Sequence, residues 1–213
     1  MTTAEDRRAR PPSPPPAGFD LDMTLIDSRR VILASFAAVS DATGVPIDPV
    51  AVDGRLGIKL EDELAFWFPA GQVPAAARLY REHYLRLAAP LTSALPGARE
   101  ALAAVRAAGA RAVVITAKHE VSARLSLDLA GLASDDLVAG VHGPQKAAAL
   151  AALGAALYVG DTPADMAAAA AAGARAVGVT TGSFTERDLR AAGAETVLES
   201  LTEFPALYAS LTS

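Results

Sequence analysis

Asp20 and Asp22 stand two residues apart, directly after the apolar run that begins at Ala17, with Thr24 close behind. Asp161 and Asp165 follow a second apolar run ending Tyr158-Val159-Gly160. Thr116 closes a third, Val113-Val114-Ile115, and Lys146 lies between those two. Singly, each has an ordinary explanation. An Asp after a strand forms turns or caps helices, Thr116 suits a helix cap, and a lone Lys on a helix is usually solvated. Together they form a chemical set. Carboxylates brought from two separate strands repel one another unless a cation lies between them. A hard divalent ion such as Mg²⁺ takes a few carboxylates together with water and substrate phosphate. One ammonium and one hydroxyl nearby suit phosphate oxygens. Phosphoryl transfer asks mainly for positioning and charge neutralisation, and this set supplies both.

The elements that must position these groups are legible in outline. Ala17–Leu21 reads as a short buried strand. A helix is predicted from Ser28 to about Ala42, where Val31, Ile32, Leu33, Phe36 and Val39 fall near one face and Gly44 ends it. Helical stretches are expected over Leu60–Phe68 and Pro74–Ala88, Pro74 suiting a first helical turn. No strand is predicted between the first one and residue 90 or so. From Leu95 the pattern changes. Helices Ala98–Ala108, Glu120–Ala130, Gln145–Leu153, Pro163–Ala172 and Glu186–Ala192 alternate with strands Ala112–Thr116, Leu137–Val141, Ala156–Val159, Ala176–Thr180 and Thr196–Leu198. A closing helix runs over Leu201–Leu211. Such alternation implies an α/β fold, a parallel sheet covered by helices on both faces. Ligands of such sheets bind beyond the carboxyl ends of the strands, which is where the polar set falls.

Composition narrows the function class. Hydrophobic residues make up 52% of the 213, but Ala supplies much of that. No window approaches the ~18 strongly apolar residues of a spanning helix, so no membrane partner is expected. The formal net charge is -5 with the cations dispersed, which argues against nucleic acid as a partner. The absence of Cys removes disulfides, thiolate metal sites and thiol nucleophiles, and fits a cytoplasmic setting. The N-terminus carries charge with no apolar stretch behind it, unlike a signal peptide. With its run of prolines from Pro11 to Pro16, the segment 1–16 reads as a disordered tail.

Phe19-Asp20-Leu21-Asp22-Met23-Thr24-Leu25-Ile26-Asp27-Ser28 resembles the first motif of the haloacid dehalogenase-like superfamily. Ile115-Thr116-Ala117-Lys118 resembles the second, Lys146 with Ala147–Leu150 the third, and Gly160-Asp161-Thr162-Pro163-Ala164-Asp165-Met166 the fourth. The match runs in order from residue 17 to about 205. It implies a Rossmann-like parallel-sheet core, residues 17–27 and 91–213, with an inserted α-helical cap over 28–90. It implies Asp20 as nucleophile and Asp22 as general acid/base. Thr116, Ala117 and Lys146 would hold the phosphoryl group. The metal, Mg²⁺, would be held by Asp20, the backbone carbonyl of Asp22 and Asp161, with Asp165 either a ligand or behind one. Met23 departs from the family pattern, which has Gly there; its backbone is expected to suit a side chain.

The resemblance also orders the alternatives. Dehalogenases and phosphonatases lack the second Asp of the first motif, and Asp22 is present. A sugar phosphomutase would keep it and stays as an alternative, as does a non-catalytic binding protein on the same scaffold, although no motif residue is lost. The segment Val179–Ser183 through Ala194–Val197 is similar to phosphoglycolate phosphatase-like members. The expected activity is hydrolysis of a small phosphorylated metabolite, phosphoglycolate-like, by a monomer or homodimer. Arg55 and Lys59, flanking Gly57, resemble the cap loop that faces the site in related enzymes and are expected to set substrate specificity.

Overall fold

A computed structural model describes residues 14–212 of the chain. Most of the tail segment lies outside the described residues. Pro16, at its end, is buried, and its carbonyl accepts the Ala156 N–H at 2.9 Å.

A six-stranded, wholly parallel sheet forms the centre, in the order β5-β4-β1-β6-β7-β8. Its strands are β1 (Ala17–Phe19), β4 (Ala112–Thr116), β5 (Asp136–Ala139), β6 (Leu157–Gly160), β7 (Arg175–Val179) and β8 (Thr196–Leu198). Helices α5 (Ala98–Ala107), α6 (Glu120–Ala130), α7 (Pro144–Leu153), α8 (Pro163–Ala172), α9 (Glu186–Ala191) and α10 (Phe204–Thr212) cover it. Side chains alternate across the sheet, as strand geometry requires. Phe19, Val114 and Val159 face a cluster with Leu102, Val105 and Phe204. Val113, Ile115 and Tyr158 face another with Leu150, Met166 and Leu189. This is the α/β arrangement that the alternation of elements predicts and the Rossmann-like core that the resemblance implies.

Between β1 and β4 the chain leaves the sheet. Strands β2 (Ile26–Asp27) and β3 (Ser93–Ala94) pair antiparallel, Ile26 opposite Ala94, so the outgoing and returning chains lie side by side. Between them run α1 (Arg29–Thr43), α2 (Pro49–Asp53), α3 (Leu60–Leu64) and α4 (Val73–Leu87). These helices close on a core of their own around Phe36, Val39, Leu64, Tyr80 and Tyr84. No strand is predicted between the first one and residue 90 or so, and β2 corrects that reading. A two-residue strand has no periodicity to read, and its pairing is a tertiary event. No helix among the described residues is long and apolar enough to cross a membrane.

Candidate active site

The register explains how residues far apart in sequence meet. Phe19 of β1 pairs with Val114 of β4 on one side and Val159 of β6 on the other. The residues just beyond those pairs therefore leave the sheet at the same edge: Asp20, Thr116 and Asp161. The Asp20 N–H donates to the Val159 carbonyl at 2.8 Å, which holds its backbone against β6. Helix α7 begins with Gly143, at φ 49°, and Pro144, and its first turn brings Lys146 to the same edge.

Asp20, Asp161 and Asp165 are buried and offer carboxylate oxygens within 4.8 Å of one another. Lys146 Nζ lies 2.8 Å from Asp20 Oδ1 and 2.6 Å from Asp165 Oδ1. Asp165 is spoken for on its other oxygen as well. Thr162 Oγ1 donates to Asp165 Oδ2 at 2.6 Å; the Asp165 N–H donates to Thr162 Oγ1 and the Thr162 N–H to Asp165 Oδ2, both at 3.2 Å, a capping box at the start of α8. Thr24 Oγ1 donates to Asp161 Oδ1 at 3.1 Å.

One ammonium among three buried carboxylates leaves a deficit of positive charge. Burial pushes the Asp20 carboxyl up to about 7; Lys146 pulls it back and the charge of Asp165 adds to the rise. Asp161 is pushed well above the usual carboxylate range, by burial first and then by the charges of Asp20 and Asp165. For Lys146, burial favours the neutral amine, but Asp165 and Asp20 outweigh it and hold the ammonium charged well past its ordinary range. Three hard oxygen donors with too little counter-charge fit a divalent cation of the Mg²⁺ type. No His or Cys belongs to the cluster, and softer metals favour those ligands.

Asp22 stands apart from that cluster. Its Oδ1 accepts from Lys118 Nζ at 2.6 Å. The Lys118 ammonium lies 4.1 Å from the ring centroid of Tyr84, on α4. Tyr84 Oη in turn shares a hydrogen bond of 2.9 Å with Ser126 Oγ of α6. Burial disfavours the Lys118 charge, but Asp22 and Tyr84 reverse that and raise its pKa. Thr116 is buried at the end of β4, and its Oγ1 accepts the Lys118 N–H at 3.2 Å.

A cavity of about 330 Å³ opens over these groups. Asp20, Asp22, Thr116, Ala117, Lys146, Asp161 and Asp165 line it from the sheet side, and Arg55 and Lys59 from the α2–α3 segment. The roof sits tightly: a β-carbon on Gly57, at φ 101°, would fall 2.7 Å from Thr162 Cγ2. Arg55 is not a free cation. Its Nε and Nη2 donate to the two oxygens of Glu63 at 2.7 and 2.6 Å, and its guanidinium lies 4.4 Å from the Phe66 ring centroid.

Sequence reasoning assigned no role to Lys118, Tyr84, Glu63 or Gly182. Lys118 stands inside the stretch read as a motif, so a signal existed. For Gly182 the reason is steric: an added β-carbon would meet Asp161 Oδ2 at 2.0 Å and Asp161 Cβ at 3.0 Å. Met23 corrects an expectation. Its φ of 57° is the left-handed region, so the backbone does not favour a side chain there. The Thr181 hydroxyl donates to the Met23 carbonyl, and the Met23 side chain is buried.

Comparison with known proteins agrees on the kind of molecule. A family model described as haloacid dehalogenase-like hydrolase matches residues 17–170, and one described as HAD-hydrolase-like matches 138–204. The protein named "Probable phosphatase IndB" of Dickeya dadantii (strain 3937) is 33% identical over 205 residues, covering 87% of this chain and 89% of its own. A protein named phosphoglycolate phosphatase from Cereibacter sphaeroides is 35% identical over 179 residues, 74% of this chain and 81% of its own. Among solved structures, the haloacid dehalogenase-like family protein SP0104 from Streptococcus pneumoniae superposes with a TM-score of 0.79 at 24% identity. It covers 91% of this chain and 98% of its own.

Proposed function

The chain belongs to the haloacid dehalogenase-like hydrolases and is a phosphatase, and from that premise we propose that it hydrolyses a small phosphomonoester through an aspartyl-phosphate on Asp20. The observation that carries the reading is the meeting of Asp20, Asp161, Asp165 and Lys146 at one point beneath a roofed cavity that Asp22 also lines.

In this reading the phosphoryl oxygens lie against Lys146, the Thr116 hydroxyl and the Ala117 backbone. The Asp20 carboxylate attacks phosphorus, a P–O bond forms to Asp20, and the bond to the leaving alkoxide breaks. Asp22 donates a proton to that alkoxide. As a carboxylate it then takes a proton from water, whose oxygen attacks the aspartyl-phosphate and releases phosphate and free Asp20. Asp20, Asp161 and the Asp22 carbonyl would hold Mg²⁺, which supplies positive charge against the phosphoryl oxygens and the anionic nucleophile. Asp165, bound on both oxygens to Thr162 and Lys146, supports that set from behind. Arg55 and Lys59 shape the leaving-group side of the cavity.

The name of the Cereibacter sphaeroides relative brings phosphoglycolate to this chain as the first ester to assay. The test is turnover of an aryl phosphate and of phosphoglycolate by the purified chain with and without Mg²⁺, followed by a search for acid-quenched phosphate on Asp20. Failure to hydrolyse any phosphomonoester in the presence of Mg²⁺ would sink the reading.

A further inference from the structure

The charges around the cavity are largely committed before any substrate arrives. Arg55 is clamped by both oxygens of Glu63, whose side chain is only 5% exposed, and Trp67 Nε1 donates to Glu63 at 2.9 Å to fix it. Arg81 pairs with Glu61, and Lys59 Nζ shares that carboxylate at 3.8 Å. On the opposite wall Lys118 is held by Asp22, and Lys146 by Asp20 and Asp165. A carboxylate on the leaving group would have to pull Arg55 from Glu63 and strand a buried anion, or compete for Glu61's partners. The first exchange is unfavourable, because a buried ion left without its partner costs more than the pair contributes; the Glu61 pairs, with side chains 29–40% exposed, resist the second only weakly. The rest of the roof is apolar: Ile32, Phe36, Val52, Leu56 and Tyr80. A volume of about 330 Å³ is within the range of pockets that enclose drug-sized ligands. A two-carbon acid seated with its phosphoryl group at Lys146 would leave that apolar wall facing water.

Resting on the phosphatase reading above, we propose that the preferred substrate is a phosphomonoester of an uncharged alcohol with an apolar or flat body larger than glycolate. The roof binds that body by burial. The rings of His119 and His142 in the lining offer contacts to neutral oxygen atoms. The paired Arg55–Glu63 acts as a filter against a second negative charge.

The full-length chain with Mg²⁺ is assayed on 2-phenylethyl phosphate, the same ester carrying a para-carboxylate, and phosphoglycolate. Both phenylethyl esters have similar primary-alcohol leaving groups, so intrinsic reactivity is matched and charge is the variable. kcat/KM is expected to be at least tenfold higher for the neutral ester than for either anion. Glu63→Gln, which frees the Arg55 charge, is expected to move the neutral-to-carboxylate ratio about tenfold toward the carboxylate. Glu61→Gln, at a more exposed pair, is expected to move it the same way and serves if the buried variant does not fold. Equal or better turnover of the carboxylated ester or of phosphoglycolate by the unaltered chain overturns the inference, and so does a ratio that neither variant moves. Absence of turnover on all three and on p-nitrophenyl phosphate removes the phosphatase reading itself and the inference with it, an outcome distinct from a reversed preference.

Discussion

Lys118 Nζ lies 2.6 Å from Asp22 Oδ1, joining the end of β4 to the loop after β1. The ammonium is held from outside. The Tyr84 ring of the helical roof lies over the ammonium, and Ser126 fixes the Tyr84 hydroxyl. The carboxylate assigned to proton transfer is therefore oriented by a cation that itself touches the roof.

Removing that cation is expected to act through Asp22. In Lys118→Met, kcat should fall about ten- to a hundredfold for alkyl phosphates, part of the ~10²–10⁴-fold that a general acid/base contributes. Aryl phosphates should lose less, because their leaving oxide needs little protonation. Lys118→Arg should recover part of the alkyl rate. Equal losses on both ester classes would mean that the pair serves folding only.

What could be read from the chain beforehand follows from where each signal resides. The core strands are apolar runs and the helices between them mostly end at glycine, so their bounds lie close to those expected. Asp20, Thr116, Lys146 and Asp161 were legible because each is tied to a strand end or helix start that local sequence marks. Helix α2 carried a signal that was passed over: Asp48 caps it, accepting the Val50 N–H, with Pro49 in its first turn. The Lys118–Asp22 and Arg55–Glu63 pairs depend on which side chains packing brings together. Sequence does not show that Arg55 is paired; the buried Glu63, which also accepts from Trp67, makes it half of a pair. The left-handed backbone of Met23 is likewise a product of the loop, where Leu21 O accepts the N–H groups of Leu25 and Ile26.

Gly182 bears on the Asp161 carboxylate by contact alone. Alanine there would place a β-carbon 2.0 Å from Asp161 Oδ2 and 3.0 Å from Asp161 Cβ. The carboxylate must turn away, which also strains its bond from Thr24. Gly182→Ala is expected to raise the Mg²⁺ concentration for half-maximal activity by tenfold or more. A melting temperature within a few degrees of the parent would locate the damage at the site. Unchanged Mg²⁺ dependence would remove Asp161 from the ligand set.

The raised Asp20 pKa makes stability depend on pH. In the metal-free protein this carboxyl is pushed from 3.8 to about 7 by burial, against the pull of Lys146. Between those values the folded state keeps a proton that the unfolded state has lost, so this group's contribution to stability falls as pH rises from about 4 to about 7. Asp161, raised in the same direction, adds to the decline. Asp20→Asn should flatten part of it. Protons also compete with the cation, so the rise in melting temperature on adding Mg²⁺ should be larger at pH 7.5 than at pH 5. Calorimetry at the two pH values, each with chelator and with Mg²⁺, checks this. Chelator should abolish turnover and Mg²⁺ restore it. A Mg²⁺-induced shift independent of pH would mean that these carboxylates are not the ligands.

Asp20 and Asp22 are two residues apart, yet their partners differ: Lys146 for one, Lys118 for the other. Their substitutions should fail differently. Asp20→Asn keeps the shape but removes the nucleophile, so no phosphoenzyme can form. Asp22→Asn keeps the nucleophile and removes the proton donor and the base that activates water. With an aryl phosphate, whose oxide leaves without a proton, Asp22→Asn should still be phosphorylated and then hydrolyse slowly. A labile acyl-phosphate should therefore accumulate on Asp20. With an alkyl phosphate the first step should fail as well, and turnover should drop further, within the ~10²–10⁴-fold range for loss of a general acid/base. Rapid quench and mass spectrometry of the peptide spanning Ala17–Asp27 decides between the two. Phosphate on any other residue, or retained turnover in Asp20→Asn, would refute the covalent mechanism on Asp20, whose surroundings differ from those of the other two carboxylates of the cluster. Asp165 is bound through both oxygens, and Asp161 is held by Thr24 against Gly182.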